Sequence, residues 1–220
     1  MSKKKKRRQP SNRIRRLDFA EDEKRYTWLS MLLDAYFITD LGVAEGIELM
    51  RRKGYRLACA KGCSSCCITH RSIPAYPIEL VGITWYAAEK LSDPVRSRLQ
   101  VKLREHRKGD PCAFLLGGIC SIHPLRPMAC RQFNVFNRIC EEGEDAYYTR
   151  RHEVLTPLKK YTNKAFLATM PFYGDRSRAE YRKIVENGLM HVAATDMQQC
   201  NWQSLADKIT SAGREDKGDR

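Results

Sequence analysis

The stretch Cys59-Ala60-Lys61-Gly62-Cys63-Ser64-Ser65-Cys66-Cys67 constrains this chain more than any other. Four of its nine cysteines fall within it, and Cys112, Cys120 and Cys130 form a second group downstream. Nine thiols cannot close into disulfides without a remainder. A 220-residue chain that is 42% hydrophobic can also bury a core without such staples. Clustered thiols in a chain of this kind are metal or iron–sulfur ligands.

Geometry limits how the first group works. On an ideal helix its four cysteines span an arc of about 100°, but Cys59 and Cys67 stand about 12 Å apart along the axis. Sulfurs on one zinc lie within roughly 4 Å of each other. Either the helix breaks, or the cysteines serve more than one metal, or a larger cluster is bound. Gly62 and Ser64-Ser65 favour a break. Adjacent Cys66 and Cys67 point different ways in any regular conformation, so they serve two neighbouring metals or one of them is not a ligand. Isolated Cys140 and Cys200 read as small buried hydrophobes.

Charge is placed unevenly. Residues 1–17 carry nine of the 40 basic residues and no acid; without them 31 basic residues face 26 acidic ones, a net of +5 rather than +14. Residues 1–17 therefore read as a disordered basic tail. Its partners would be reached by weak, nonspecific contact with nucleic acid or another acidic surface, and no aromatic is present there to stack on bases. Arg7–Arg16 is polar where a signal peptide needs its apolar region, and no apolar run is long enough to span a membrane. The expected location is cytoplasmic.

The fold class expected is mainly α: a helical domain over residues 18–211 with a small β-hairpin, a cysteine-rich metal centre at 59–133, and a disordered end at 212–220. Residues 18–53 carry apolar positions at three- and four-residue spacing, with a break expected near Thr39-Asp40-Leu41-Gly42. Pro77 and the Ser92-Asp93-Pro94 triplet open further helices, the second strongly basic and read as a solvated face. Cys112 to Ile122 around Gly117-Gly118 reads as a short hairpin. Thr156-Pro157, Ser177 and Trp202 open the helices of the C-terminal third, and Tyr147-Tyr148 and Trp202 are expected to pack.

Cys59-x3-Cys63-x2-Cys66-Cys67, then Cys112-Ala-Phe-Leu, then Cys120-Ser-Ile-His123-x2-Arg126-Pro127-x2-Cys130-Arg131-x-Phe133 resembles the YkgJ-type cysteine-cluster family, a group described as chelating zinc or iron. Ala113 and His123 depart from its common Pro and Tyr. The resemblance implies that Cys59, Cys63, Cys66, Cys67, Cys112, Cys120 and Cys130 hold metal ions (zinc or iron) or an iron–sulfur cluster, most naturally a 4Fe-4S one. Flagellin lysine methylases carry a similar cluster, so methyl transfer is one activity among relatives. The spacing Cys59-x3-Cys63-x2-Cys66 is also that of radical S-adenosylmethionine enzymes, but the aromatic expected before the third cysteine is Ser65, and no alternating βα pattern follows.

Zinc and iron both suit thiolates. Seven thiolates carry more charge than two zinc ions neutralise. Lys61, Arg126 and Arg131 are the cations expected to compensate, with Arg126 and Arg131 read as cofactor-contacting residues. His70 and His123 have usable ligand spacing, and Glu79 is either an outer residue of the centre or a solvated helix carboxylate. No P-loop, G-x-G-x-x-G, G-x-S-x-G or H-E-x-x-H pattern occurs, so no catalytic residue is assigned. Two functions stay open. One is an iron–sulfur or metal-dependent protein of unknown reaction, acting on a protein or a small molecule; the other is a zinc-stabilised structural or binding module with a basic tail.

Overall fold

A computed structural model describes residues 14–70 and 72–215, with side chains to residue 209. The expected tail over residues 1–13 and the last five residues lie outside the described residues. Among the described residues no helix is long and apolar enough to cross a membrane.

The fold is mainly helical, as expected. Short α1 (Ala20–Arg25) leads into α2 (Thr27–Arg52). The break expected near Thr39–Gly42 is absent. Thr39 turns its hydroxyl back to the carbonyl of Ala35 at 2.8 Å, and the helix runs through. Gly42 serves packing instead. A Cβ there would meet Cβ and Cγ of Tyr161 at 2.6 and 2.8 Å, so its absence lets α8 (Lys159–Thr169) lie against α2. Leu29, Leu32, Leu33 and Tyr36 of α2 form the first core with Ile78, Trp85, Phe166 and Met170. That core reaches further towards the N-terminus than the expected domain boundary, since Leu17 and Phe19 pack against it. Arg16, assigned to the tail, bonds Glu23 at 2.7 Å and Asp34 at 2.5 Å.

A second core packs against Cys112, Cys120 and Cys130. α4 (Pro77–Trp85) continues as a wider π turn over Tyr86–Lys90, and α5 (Asp93–Glu105) follows. α5 buries Leu99 and Leu103 against Leu205, Ala206 and Ile209 of α10 (Trp202–Glu215). α10 carries four residues of the expected frayed end as helix. Trp202 packs edge-on to Phe114 with ring centroids 4.8 Å apart, as expected of it. Tyr147 and Tyr148, by contrast, stand exposed.

Strand structure is slight. β2 (Leu115–Leu116) and β3 (Ile119–Cys120) form the expected hairpin, and Gly117 and Gly118 both take positive φ, as its two-residue turn demands. β1 (Pro74–Ala75) pairs with β4 (Thr195–Asp196), a tie of long sequence range. Of the remaining helices, α3 (Ser65–Thr69) and α6 (Met128–Gln132) belong to the cysteine loops, and α7 (Ala146–Thr149) to a third, small cluster. α9 (Arg178–Glu186) starts at a Ser177/Glu180 capping box.

The third cluster, Val135, Ala146 and Val154, is organised by Arg150. Its guanidinium bonds Glu144 at 2.7 Å and Glu153 at 2.8 Å. It also donates to the carbonyls of Phe136, Arg138 and Ile139. These bonds hold the loop from Phe136 to Cys140, which its own sequence leaves without a regular ladder.

Two outcomes follow from this packing. Gly42→Val forces Tyr161 from a position fixed by the root of its ring, and overpacking of this kind costs about 1–3 kcal/mol. A lowering of the melting temperature by roughly 2–4 °C per kcal/mol is expected in a thermal melt, and an unchanged melt would remove the close contact from the account. The second concerns Glu144, held below its ordinary 4.5 to about 2, first by the Arg150 hydrogen bond and then by the Glu141 N–H. A depressed carboxylate stabilises the fold fully above its ordinary value, and that contribution is lost as pH falls towards about 2. Carbon-detected NMR should find the Glu144 midpoint in that acid range in the wild type, and shifted up towards 4.5 in Arg150→Gln.

Candidate metal centre

The local chain around Cys59–Cys67 does break, and the break shapes the site. Cys59 lies in extended chain beside the isolated bridge of Leu57 to Phe136. Gly62 adopts φ +87° and turns the chain, with Cys63 N–H donating to the Ala60 carbonyl at 3.1 Å. Only then does α3 begin, carrying Cys66 and Cys67 on its first turn. The second cysteine group comes against the first through one backbone bond, from Cys112 N–H to the Cys67 carbonyl at 2.7 Å. Cys112 and Cys120 stand at either end of the hairpin segment, and Cys130 lies within α6.

The structure gathers the expected thiols around Cys66. Cys59, Cys67, Cys112, Cys120 and Cys130 are all within electrostatic reach of it. Cys63 is exposed, reaches Cys59 electrostatically and has its sulfur 3.7 Å from the Ser65 hydroxyl. Among the described residues no three His, Cys, Asp or Glu side chains converge at ion-binding separation. The fold supplies proximity, and the donor chemistry has to be judged from what faces it.

That chemistry is thiol only. His123 Nε2 accepts from the Arg126 guanidinium, and His70 turns Nε2 to Asp145 at 3.3 Å with its ring edge-on to Phe133. Burial lowers both imidazoles, which stay neutral, and both have their Nε2 atoms directed at partners other than thiols. Burial raises the Cys59, Cys112, Cys120 and Cys130 thiols, Cys120 to about 11. Cys66 runs the other way. The Cys67 thiol donates to it, and with the N–H groups of Cys66 and Cys67 and the charge of Arg126 this outweighs burial and holds it to about 7. The same proton raises Cys67. Cys66 is thus lowered among neighbours that burial raises, and loading a metal would release their protons.

The cations correct the sequence reading. Arg131, expected to face the cofactor, is spent on scaffolding. It pairs with Asp40 at 2.8 Å, donates to the Arg126 and Pro124 carbonyls, and lies 4.0 Å over the Tyr36 ring. Glu79 is not solvated, and it lies within electrostatic reach of Cys130. It is fully buried, accepting from Met128 N–H at 2.7 Å and Tyr76 N–H at 3.0 Å, and desolvation raises it to about 7. Arg126 does face the thiols, favouring the charged forms of Cys66 and Cys120. Its Nε–H is buried with no acceptor. Lys102 beside Cys112 and Arg150 beside Cys59 are two further cations that sequence spacing gave no means of finding.

The residues present fit a thiophilic metal or an iron–sulfur cluster: a thiol-only donor set, the charge of Arg126 near Cys66 and Cys120, and a Val135 N–H donating to Cys59 Sγ at 3.2 Å. Comparison with curated proteins and with solved structures returned no significant match. A family model does match, over residues 58–164: CxxCxxCC, described as "Putative zinc- or iron-chelating domain". That span takes in both cysteine groups and the segments that bring them together, so in its cysteine-cluster region the chain is similar to that family.

Proposed function

We propose that this protein carries an iron–sulfur cluster, of the 4Fe-4S kind, or iron or zinc ions, held by Cys59, Cys63, Cys66, Cys67, Cys112, Cys120 and Cys130. The observation that carries this reading is the meeting of the two cysteine groups around Cys66 with both nearby histidines turned away. Bound there, a cluster supplies electron transfer or Lewis acidity and clamps the loops together.

The chain's own residues do the rest. Arg126 offers an unpaired N–H and a positive charge to sulfur, which stabilises thiolates and inorganic sulfide alike. Lys102 and Arg150 lie at opposite ends of the thiol network, beside Cys112 and Cys59, and offset its charge there. A thiol-only set suits an iron–sulfur cluster at least as naturally as it suits zinc. The other reading, a zinc-stabilised structural or binding module whose basic tail meets an acidic or nucleic-acid partner, draws on the same thiols and on the charge of the N-terminal segment.

Anaerobic purification followed by iron, zinc and acid-labile sulfide analysis separates them. Iron with matching sulfide and a broad absorption band near roughly 400 nm is expected. A colourless protein with stoichiometric zinc and no iron would move the assignment to the module. Cys63→Ser is expected to lower metal content and the melting temperature together, since ligand loss is also fold loss. Cys200→Ser should change neither, its sulfur being hydrogen-bonded to the Asp196 carbonyl away from the other thiols.

A further inference from the structure

A cleft of about 540 Å³ opens beside α5, a size that suits a small molecule. Arg98, Val101, Lys102 and Glu105 line it from the helix, at the three- and four-residue spacing of a single face. Leu99 and Leu103, on another face, are taken up by the second core. Asp110 and Pro111 line the cleft from the loop that leads into Cys112, and Leu116 from the hairpin. Arg98 reaches across to the hairpin turn, its guanidinium 3.6 Å from where a Cβ on Gly117 would stand.

The charges in the cleft differ from those elsewhere on the helix. Arg96 bonds Asp93 and the Ala88 carbonyl, and Arg104 pairs with Asp207 at 3.5 Å. Among the described residues Arg98 and Lys102 have no carboxylate within ion-pairing distance, and Glu105 has no cation. Asp110 accepts from the Arg107 N–H at 2.8 Å through Oδ2 and keeps its charge at the cleft. Two unpaired cations and two carboxylates therefore share an apolar lining of Val101, Pro111 and Leu116.

A buried polar atom joins them. His106 follows α5 directly, lines the cleft, and has a side chain only 6% exposed with no hydrogen-bond partner for Nδ1. Burial holds the imidazole below its ordinary value, so it stays neutral. Gln198, beside the ring, already accepts from the Gly109 N–H at 3.4 Å and donates to the Asp110 carbonyl at 3.1 Å. Asp110 Oδ2 stands 4.0 Å from Nδ1, too far for a direct bond. One ammonium bridges a gap of that width, donating to both atoms. Lys102 lies one helical turn back, about 6 Å along the axis, within reach of a carboxylate on the same small molecule.

We infer that the cleft binds an apolar α-amino acid as its zwitterion. The carboxylate lies on Arg98 and Lys102, the ammonium on Glu105, Asp110 and His106 Nδ1, and the side chain on the apolar lining. No metal takes part in these contacts, so the inference goes beyond the metal-binding reading and is tested apart from it. The cleft still adjoins the centre: Pro111 precedes Cys112, and Lys102 favours the charged form of the Cys112 thiol. An amino acid held there lies beside the second cysteine group.

Full-length protein, purified anaerobically and with its metal content measured, is titrated by calorimetry with L-leucine, L-methionine and L-phenylalanine, and with the N-acetyl and amide derivatives of each. At least one free amino acid is expected to bind, and its two derivatives, each lacking one charge, to bind about tenfold more weakly or worse. Arg98→Ala and Glu105→Gln, at exposed helix positions, should weaken binding to a similar degree with an unchanged thermal melt, while Arg104→Ala binds as the wild type does. In the wild type, nitrogen NMR should show the His106 Nδ1 resonance moving on binding and that of exposed His152 staying in place. Failure of all three amino acids to bind, or derivatives that bind as well as their parent, overturns the inference. So does binding that leaves His106 and the Arg98→Ala variant unaffected. A protein that carries iron or zinc and binds none of the three loses this inference alone, and one that binds an amino acid without metal keeps it.

Discussion

The centre depends on a carboxylate that never touches it. Glu79 is fully buried and is held by two backbone N–H groups, one at the start of its own helix and one from Met128 at the start of α6. Burying a carboxylate is costly, and desolvation raises it to about 7 in spite of those bonds and of Arg131. What the arrangement fixes is the seat of α6, two residues before Cys130. Around it the carbonyls of the Pro124–Pro127 turn are taken up in order: Pro124 and Arg126 by Arg131, and Leu125 by the Tyr36 hydroxyl at 3.2 Å. A turn with its acceptors satisfied this way has one conformation, and Arg126 leaves it towards the thiols.

The Arg126-Pro127-x2-Cys130-Arg131 element therefore holds two arginines with different work. Arg131 is stacked on Tyr36 and paired with Asp40 of α2, so it ties the turn to the first core. Arg126 hydrogen-bonds His123, keeps a buried, unpaired Nε–H, and favours the charged forms of Cys66 and Cys120. Sequence spacing alone treats the two as equivalent cations near the cysteines. They differ because one side chain of α6 faces back under the turn while the turn itself projects the other, a distinction that exists only once Tyr36 and Asp40, some ninety residues earlier, are in place.

What could be read from the chain beforehand was what local stereochemistry decides. Gly117-Gly118 demanded a tight hairpin, Gly62 a break before Cys66, and the 3.6-residue periodicity of 18–53 a long helix. The thiol groups were legible because their density has no other economical use in a chain of this size. The misreadings all have long-range causes. Gly42 looked like a breaker because its partner Tyr161 is distant in sequence. Glu79 looked solvated because α4 gives no hint of the α6 start above it.

The placement of the thiols against apolar side chains has an energetic logic. Burial keeps Cys59, Cys112, Cys120 and Cys130 protonated in the absence of a counter-ion, and neutral thiols are tolerated against apolar side chains. On the proposed reading, a metal replaces those protons and needs the surrounding charge to be tolerable as well. Arg126, Lys102 and Arg150 approach from the Arg-Pro turn, from α5 and from the loop behind Val135, three segments that belong to no common element. Folding has to be complete before the three cations surround the thiols, so the affinity of the centre and the stability of the whole loop region are one quantity. The second and third clusters, which the cysteines pack against, supply rigidity that the loops, short of regular structure themselves, could not generate.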